Sequence, residues 1–201
     1  MPDGSALLDI GANIGLYSLY AASMGHEVLA VEPHPLTFAG LVRNCGMNAE
    51  MNVKPLWCAV ADPELGRLRT FNAEDVRCGS TGGSCGARMQ QGHSWGVLVA
   101  SIYELAHLLT ACRKLYVKID IDHKEDAAVE SMIELLRRGM VSSCLVEVTA
   151  ANNDYIRTIF DLYGYDDGDP LNWAAEHSRE RRKREGIDAE NIIFRLARGV
   201  S

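Results

Sequence analysis

The segment LLDIGANIGLY, residues 7–17, most strongly restricts how this chain can fold. An apolar run stops at Asp9, and Gly11 and Gly15 follow before apolar residues recur at helical spacing. A buried strand accounts for the apolar run, and a surface turn accounts for one glycine. Two glycines between a strand and a helix indicate a turn whose backbone approaches another group closely. The segment therefore predicts a strand, a Gly-rich turn and a helix.

The rest of the chain continues the alternation of strands and helices. Strands are predicted at residues 6–11, 26–33, 53–61, 97–101, 114–122, 142–149 and 191–198, and helices at 14–25, 35–48, 102–113, 124–139 and 153–164. This order predicts an α/β fold with a doubly wound, mostly parallel sheet and helices on both faces. A chain of 201 residues is expected to form a single domain over residues 1–201, with a polar Gly-rich loop at 72–96.

Composition and charge exclude several classes of protein. The net charge of −7 argues against a chain that binds polyanions over its whole surface. No apolar run is long enough to cross a membrane, and the first residues lack the basic and apolar regions of a signal peptide. The six cysteines have no zinc-type spacing, so free thiols, several of them buried, are expected. Such thiols persist in a reducing compartment, which predicts a cytoplasmic protein.

The turn and the second strand together indicate a ligand that contains a nucleoside. In doubly wound sheets, ligands bind beyond the carboxyl ends of the strands, where the strand order reverses. Gly11 is expected to let the backbone approach the ligand, and Gly15 to let the first helix pack close to the strand. Glu32 ends the second strand, about 20 residues further on, where a carboxylate can accept hydrogen bonds from ribose hydroxyls.

The spacing of the glycines favours S-adenosylmethionine over NAD as that ligand. The dinucleotide fingerprint is Gly-x-Gly-x-x-Gly, and here Asn13 stands where its second glycine would be. A pyrophosphate needs bare backbone at that place, whereas S-adenosylmethionine carries no phosphate and can use the Asn13 amide. Two alternatives stay open: an NAD-dependent oxidoreductase, and a non-catalytic module that binds a nucleoside or a partner.

Several segments resemble the FkbM-type methyltransferases. Residues 7–48 resemble the first two motifs of that family, and YVKIDIDHKEDAAVESMIELL resembles its Lys-Ile-Asp segment and the helix that follows. The segments CLVEVT and NIIFRL resemble its last two strands. The resemblance implies a class I S-adenosylmethionine-dependent methyltransferase fold, with seven strands and the last one antiparallel. It also implies O-methylation of a hydroxyl on a small molecule, sugar or natural product.

The resemblance further implies roles for individual residues. The residues on the methionine side of the cofactor would be Asp9, Gly11, Asn13 and Gly15. Glu32 would hold its ribose, and Pro33 and the chain from Ala59 to Asp62 would flank its adenine. Asp120 would lie near the sulfonium and the substrate. The sequence departs from the family at His123, which takes the place of a glycine. Little chain precedes the first strand, so a capping element is missing or comes from another subunit of a homo-oligomer.

An alcohol acceptor must lose its proton near the transition state, so a base is expected at the same edge. The candidates are Asp120, Asp122, His123, Glu125 and Glu147. We predict Asp120 and His123 as the catalytic residues, because the ordinary pKa of histidine, near about 6.5, suits a base. Lys118 and Asp120 share one face of their strand and are placed to pair, either in catalysis or as a structural contact. Glu125 suits the first turn of the helix that follows.

No metal is predicted, and the expected partner is a small-molecule or glycan acceptor. Asp120, Asp122 and Glu147 could hold Mg²⁺, but helix caps and salt bridges use the same residue types. The basic run RERRKRE at 179–185 is interpreted as a solvated helix, with an anionic substrate or nucleic acid as the alternative. Nucleic acid is disfavoured because no aromatic residues are interleaved with the basic ones. No Asn-Pro-Pro-Tyr-type string follows the strand predicted at 114–122, which disfavours methylation of a base amino group.

Overall fold

The computed structural model describes residues 1–79, 83–85, 92–109, 114–121, 124–167 and 189–197. The strands are β1 (Ser5–Ile10), β2 (Glu27–Val31), β3 (Val53–Leu56), β4 (Ala59–Val60), β5 (Leu68–Ala73), β6 (Ser84–Cys85), β7 (His93–Ala100), β8 (Lys114–Ile119), β9 (Val141–Thr149), β10 (Tyr165–Asp166) and β11 (Ala189–Leu196). The helices are α1 (Leu16–Ser23), α2 (Pro35–Met47), α3 (Ile102–Ala106), α4 (Glu125–Glu130), α5 (Ile133–Arg137) and α6 (Asn153–Leu162), with a 3₁₀ turn at Pro63–Leu65.

Seven of these strands form one sheet in the order β10-β11-β9-β8-β1-β2-β3. The pairs between β9, β8, β1, β2 and β3 are parallel, and β11 is antiparallel to both of its neighbours. The predicted doubly wound, mostly parallel sheet with an antiparallel last strand is confirmed. The strand order reverses between β1 and β8, so a ligand site is expected beyond the carboxyl ends of those two strands.

Apolar side chains cover both faces of this sheet. All six residues of β1 are buried, as expected of a central strand with helices on either side. Leu7 packs with Ala21 and Ala22 of α1 on one face, and Leu8 belongs to the larger core under α3 to α6 on the other. In that larger core the rings of Phe160 and Phe194 stack with centroids 4.0 Å apart, which joins α6 to the antiparallel strand β11.

Two predicted elements are divided in the structure. The strand predicted at 53–61 ends at Leu56, and its second half, β4, pairs with β7 in a separate sheet. The helix predicted at 124–139 breaks after Glu130 into α4 and α5. At the break the Ser131 hydroxyl donates to the Ala128 carbonyl at 2.7 Å and accepts from the Ile102 amide at 3.0 Å. A serine that binds backbone groups in this way competes with the helical pattern.

The predicted Gly-rich loop at 72–96 is partly a second sheet, of order β4-β7-β5-β6. Residues 72–73 belong to β5, 84–85 form β6, and 93–96 begin β7. Strands β5 and β7 pair antiparallel over six residue pairs, and Phe71 and Val97 are buried between the sheets. The first and last residues of the predicted loop are therefore strand residues. Residues 80–82 and 86–91, which lie between them, are outside the described residues. The assignment of residues 1–201 to one domain stays a prediction.

Within the described part of the chain, no helix is both long and apolar enough to span a membrane. The five cysteines in that part are free thiols, and two of them, Cys58 and Cys144, are buried. Cys112 lies outside the described residues.

Candidate functional site

An open cleft of about 770 Å³ lies where the strand order reverses. One wall comes from the turn after β1 and the ends of β2 and β8, and the opposite wall comes from β4 and the inner face of the second sheet. Six of the predicted cofactor residues line it: Gly11, Asn13, Glu32, Pro33, Ala59 and Asp120. Asp9 and Gly15 do not line the cleft, because both lie behind the turn and pack against other parts of the chain.

The packing of the protein backbone by itself requires a glycine at position 11, and the expected approach of a ligand to Gly11 stays a prediction. Its φ is +73°, in the left-handed region that favours glycine. A Cβ atom at this position would lie 1.9 Å from the carbonyl oxygen of Asp120. The turn after β1 therefore passes directly against the end of β8, and these two backbones together form the floor of the cleft.

Gly15 and Asn13 serve the conformation of the turn in a similar way. Gly15 has a φ of +92°, and its Cβ would come within 2.6 Å of a Leu41 methyl group, so its close neighbour is helix α2 and not the strand. Asn13 has a φ of +52°, the one positive value among the described non-glycine residues. Asparagine tolerates this conformation better than most residues, which explains why it can stand at a position that resembles a glycine site.

Glu32 is held in the cleft wall by two backbone amides. Its Oε2 accepts from the amide of Asn13 at 3.0 Å, and its Oε1 accepts from the amide of His34 at 2.8 Å. The side chain is buried, with 7% of its surface exposed. These contacts fix the carboxylate between the turn after β1 and the beginning of α2, and its role in binding a ribose stays a prediction.

Lys118 lies at the centre of a buried group of charges below the turn. Its Nζ is 3.3 Å from Asp9 Oδ1 and 3.3 Å from Asp120 Oδ2, and it donates to the Gly11 carbonyl at 3.2 Å. Burial by itself lowers the pKa of Lys118, but the two carboxylates outweigh it and hold that pKa above its usual range. The predicted pair of Lys118 and Asp120 is confirmed.

Asp9 stabilises this group from beneath. It is fully buried, and its Oδ2 accepts from the Ser18 hydroxyl of α1 at 2.6 Å. Its Oδ1 has no hydrogen-bond partner among the described residues, and the ammonium of Lys118 compensates that oxygen ionically. Asp9 therefore acts on the site through Lys118 and the first helix, and the expected contact between Asp9 and a cofactor is replaced by a supporting role.

The candidate bases differ in whether they line the cleft. The Asp120 side chain lines the cleft and is 44% exposed. Glu125 is buried, where its carboxylate accepts from the amide of Ile121 and from the side chain of Asn152, which makes it a structural link. Glu147 does not line the cleft. Asp122 and His123 lie outside the described residues, so the role of His123 stays a prediction.

No group of three or more His, Cys, Asp or Glu side chains in the described residues is arranged to hold a metal ion. Two thiols, Cys58 and Cys85, do line the cleft. Burial raises the pKa of Cys58 to about 11 and raises that of Cys85 as well. Thiols of raised pKa are poor nucleophiles at neutral pH, which argues against thiol chemistry in the cleft.

His34 was not recognised from the sequence, yet it joins the cleft wall to the second sheet. Its Nδ1 accepts from the Thr37 amide at 3.2 Å and so caps α2, which leaves Nε2 to donate to the Asp75 carbonyl at 3.0 Å. The ring also meets Trp95 edge-on, with centroids 5.2 Å apart. Its signal in the sequence is its place directly before Pro35 at a helix start, but its partners come from distant chain.

No protein-family model and no curated protein matches this sequence. Solved structures do match it. The precorrin-6y C5,15-methyltransferase of Geobacter metallireducens GS-15 superposes with a TM-score of 0.50 at 10% identity, over 96% of this chain and 80% of that chain. This chain has a methyltransferase-type fold. At such low identity the likeness is one of fold alone.

Two further methyltransferases are similar at slightly lower TM-scores. A putative RNA methyltransferase from Pyrococcus horikoshii gives a TM-score of 0.49 at 12% identity, over 98% of this chain and 76% of that chain. An rRNA methylase from Streptococcus thermophilus gives 0.49 at 8% identity, over 98% of this chain and 90% of that chain.

The close contact at Gly11 generates a stability prediction. We expect Gly11→Ala to lower the free energy of unfolding by at least about 2 kcal/mol, because the new methyl group meets backbone and the residue keeps a positive φ. Urea denaturation followed by circular dichroism measures the change.

Gly46→Ala is the matched control, since Gly46 lies within α2 and a Cβ there meets no atom within 4 Å. This control should leave stability unchanged or raise it by up to about 1 kcal/mol. Equal stabilities for Gly11→Ala and the parent would contradict the packing described for the turn.

Proposed function

We propose that this chain is an S-adenosylmethionine-dependent methyltransferase. The observation that carries the proposal is the buried Glu32 carboxylate in the cleft wall, which two backbone amides orient beside the turn after β1. A carboxylate offers about four acceptor sites, so more than two donors can bind it at once. An acid in this place suits the two hydroxyls of a ribose, as in other nucleoside sites of doubly wound sheets.

The backbone amides of the turn favour S-adenosylmethionine over a dinucleotide. The amides of Gly11 and Ala12 both donate to the Val31 carbonyl, and that of Gly15 donates to Ala12. The Asn13 amide is taken by the Glu32 carboxylate. A pyrophosphate is usually held by free amides of such a turn and of the helix start. Since these four amides bind within the chain, the turn suits a cofactor without phosphate.

The remaining cofactor contacts follow from the cleft wall. We assign the amino-acid end of the cofactor to the turn at Gly11 and Asn13, and the adenine to Pro33 and the chain from Ala59 to Asp62, which line the opposite part of the cleft. The reacting methyl group would then lie towards Asp120. Methyl transfer depends chiefly on alignment of acceptor, methyl and sulfur, and a site built on strand ends supplies rigid positions for that alignment.

The acceptor atom that we propose is a hydroxyl oxygen of a small molecule, sugar or natural product, in line with the resemblance to the FkbM-type enzymes. Asp120 supports this choice, because its exposed carboxylate lies in the cleft and can take the proton of an alcohol. Lys118 would fix the orientation of that carboxylate. His123 is proposed as a second candidate base. The preference for a small acceptor over nucleic acid also stays a proposal.

The cofactor assignment predicts the effect of Glu32→Gln. We expect S-adenosylhomocysteine, the demethylated cofactor, to bind 10- to 100-fold more weakly, about 1–3 kcal/mol, because the amide offers fewer acceptors to the ribose and turns a donor towards a backbone N–H. Isothermal titration calorimetry measures the affinity, with NAD titrated in parallel.

Glu50→Gln serves as the control, since Glu50 is exposed and does not line the cleft. It should bind S-adenosylhomocysteine as the parent does. Tighter binding of NAD by the parent, or an unchanged affinity in Glu32→Gln, would count against the proposed function.

Asp120→Asn tests the chemical step. We expect methyl transfer from labelled S-adenosylmethionine to a panel of hydroxyl-bearing acceptors to fall by about 10²- to 10⁴-fold, the usual contribution of a positioned base. The affinity for S-adenosylhomocysteine should change little, because Lys118 keeps its contacts with Asp9 and Gly11.

Asp161→Asn, on the exposed face of α6, should leave transfer unchanged. A parent protein that binds the cofactor tightly and methylates no acceptor in the panel would instead favour the non-catalytic binding module.

A further inference from the structure

Among the described residues that line the cleft, seven carry charged side chains, and these differ in whether they have a partner. Four are carboxylates, and each is already engaged by this chain: Glu32 by two backbone amides, Asp62 by an amide of the 3₁₀ turn that it caps, Asp120 by an ammonium group, and Glu130 by a tyrosine hydroxyl. Three are cations, of which Lys118 is engaged by two carboxylates. The other two cations are Arg69 and Lys124.

Arg69 and Lys124 make no side-chain hydrogen bond or ion pair within the described part of the chain. Arg69 is half-buried. A guanidinium carries five N–H donors, and removing them from water without an acceptor is unfavourable. By contrast, Arg67, which directly precedes β5, pairs with Glu104 outside the cleft. Within the described residues, two cations without an ion pair thus line the cleft, although the whole chain carries a net charge of −7.

The position of Arg69 directs its side chain to the inner face of the second sheet. Alternate residues of a strand share a face, so Arg69 lies on the same face as Phe71 and Ala73, both of which are buried. Phe71 lines the cleft together with Arg69. Lys124 precedes α4 directly and lines the cleft, as does Asp120, the proposed base. One cation therefore belongs to the second sheet and the other to the loop that carries the reacting group.

We propose that the methyl acceptor carries an anionic group, a carboxylate or a phosphate, which Arg69 and Lys124 bind. The inference rests on the proposed function and names the substrate class of that same cleft. A guanidinium fork matches a carboxylate or phosphate with two parallel hydrogen bonds, and an ammonium adds a second, less directional contact. A small anionic molecule fits this site better than a nucleic acid, since among the described residues of the cleft only two cations lack an ion pair, and two cations form no extended basic surface.

The cofactor itself is a second source of the same chemistry, because its amino-acid end carries a carboxylate. The two sources differ in a measurable way. If Arg69 binds the cofactor carboxylate, Arg69→Gln weakens S-adenosylhomocysteine but not 5′-methylthioadenosine, which lacks the amino-acid end. If Arg69 binds the acceptor, neither ligand is affected.

The experiment uses the full chain saturated with S-adenosylhomocysteine and titrates it with phenyl phosphate, benzoate and the neutral benzyl alcohol, followed by NMR chemical shifts. We expect the two anions to bind and benzyl alcohol to bind at least tenfold more weakly. Arg69→Gln and Lys124→Gln should each weaken the anions about tenfold or more, since charge-assisted hydrogen bonds are lost. Arg69→Lys should retain part of the affinity, because it keeps the charge and loses the fork.

Arg43→Gln and Lys114→Gln are the matched controls. Both residues are exposed, lie outside the cleft and, in the part of the chain that the structure describes, have no ion pair. They make the same change of charge and should leave the anion affinities unchanged. Melting temperatures of all variants identify any that fail to fold, and Lys124→Gln at an exposed position provides the test if Arg69→Gln does not fold.

Four results would overturn the proposal: equal binding of anions and benzyl alcohol, unchanged affinity in both cleft variants, selective weakening of S-adenosylhomocysteine in Arg69→Gln, or preferential Arg69-dependent binding of a short RNA. Absence of S-adenosylhomocysteine binding would contradict the proposed function instead. The anion titration is therefore repeated on the protein without S-adenosylhomocysteine. Weaker binding of the anions by the Arg69 and Lys124 variants under that condition tests the anion site independently of the cofactor.

Discussion

The buried ammonium of Lys118 connects the residues of the site that belong to the two central strands, β1 and β8, and to the ends of those strands. Lys118 in β8 is the register partner of Asp9 in β1, so the two side chains emerge side by side from neighbouring strands. From this position the ammonium reaches the Asp9 carboxylate, the Gly11 carbonyl and the Asp120 carboxylate. Removal of one partner from a buried ion pair typically costs about 3–5 kcal/mol, because the other charge is left uncompensated. The turn and the proposed base are therefore fixed by the same group.

This arrangement gives the glycines of the turn a purpose in the packing of the protein, in addition to the predicted approach of a ligand to Gly11. Gly11 is needed because the turn passes against the backbone of Asp120, and Gly15 because α2 packs against the start of α1. The same close packing lets the Asn13 amide reach Glu32. The cleft is thus shaped by contacts within the protein, and the same contacts hold the carboxylate of Glu32, the proposed ribose ligand, in its wall. Side chains held in place by such contacts lose little entropy when a ligand binds.

The sequence predicted those strands and helices whose bounds are set by residues close together in the chain. The segment from β1 through α2 was predicted with nearly the observed bounds, because continuous apolar strands, a glycine after α1 and Pro35 at the start of α2 are local signals. The pairing of β5 with β7 was missed, because it joins residues on either side of a glycine-rich stretch and leaves no periodicity in it. The break in the predicted helix at 124–139 depends on the contact of Ser131 with Ile102, which is distant in sequence.

The residues of the candidate site also divide into those that the sequence predicted and those that depend on contacts between distant parts of the chain. Glu32 and Asp120 were found because strand ends are visible in the sequence, and both line the cleft. The supporting role of Asp9 depends on the register of β1 with β8, and that of His34 depends on the second sheet, so neither could be read from spacing. That Arg69 has no ion pair within the described residues likewise becomes visible through the fold, because sequence alone does not show which arginines are paired.

A crystal structure of the chain with S-adenosylhomocysteine tests the central claim most directly. The account predicts both ribose hydroxyls within about 3.2 Å of the Glu32 carboxylate, a normal hydrogen-bond distance, with the sulfur turned towards Asp120. A nucleoside bound away from Glu32, or a cleft that excludes the ligand, would contradict it.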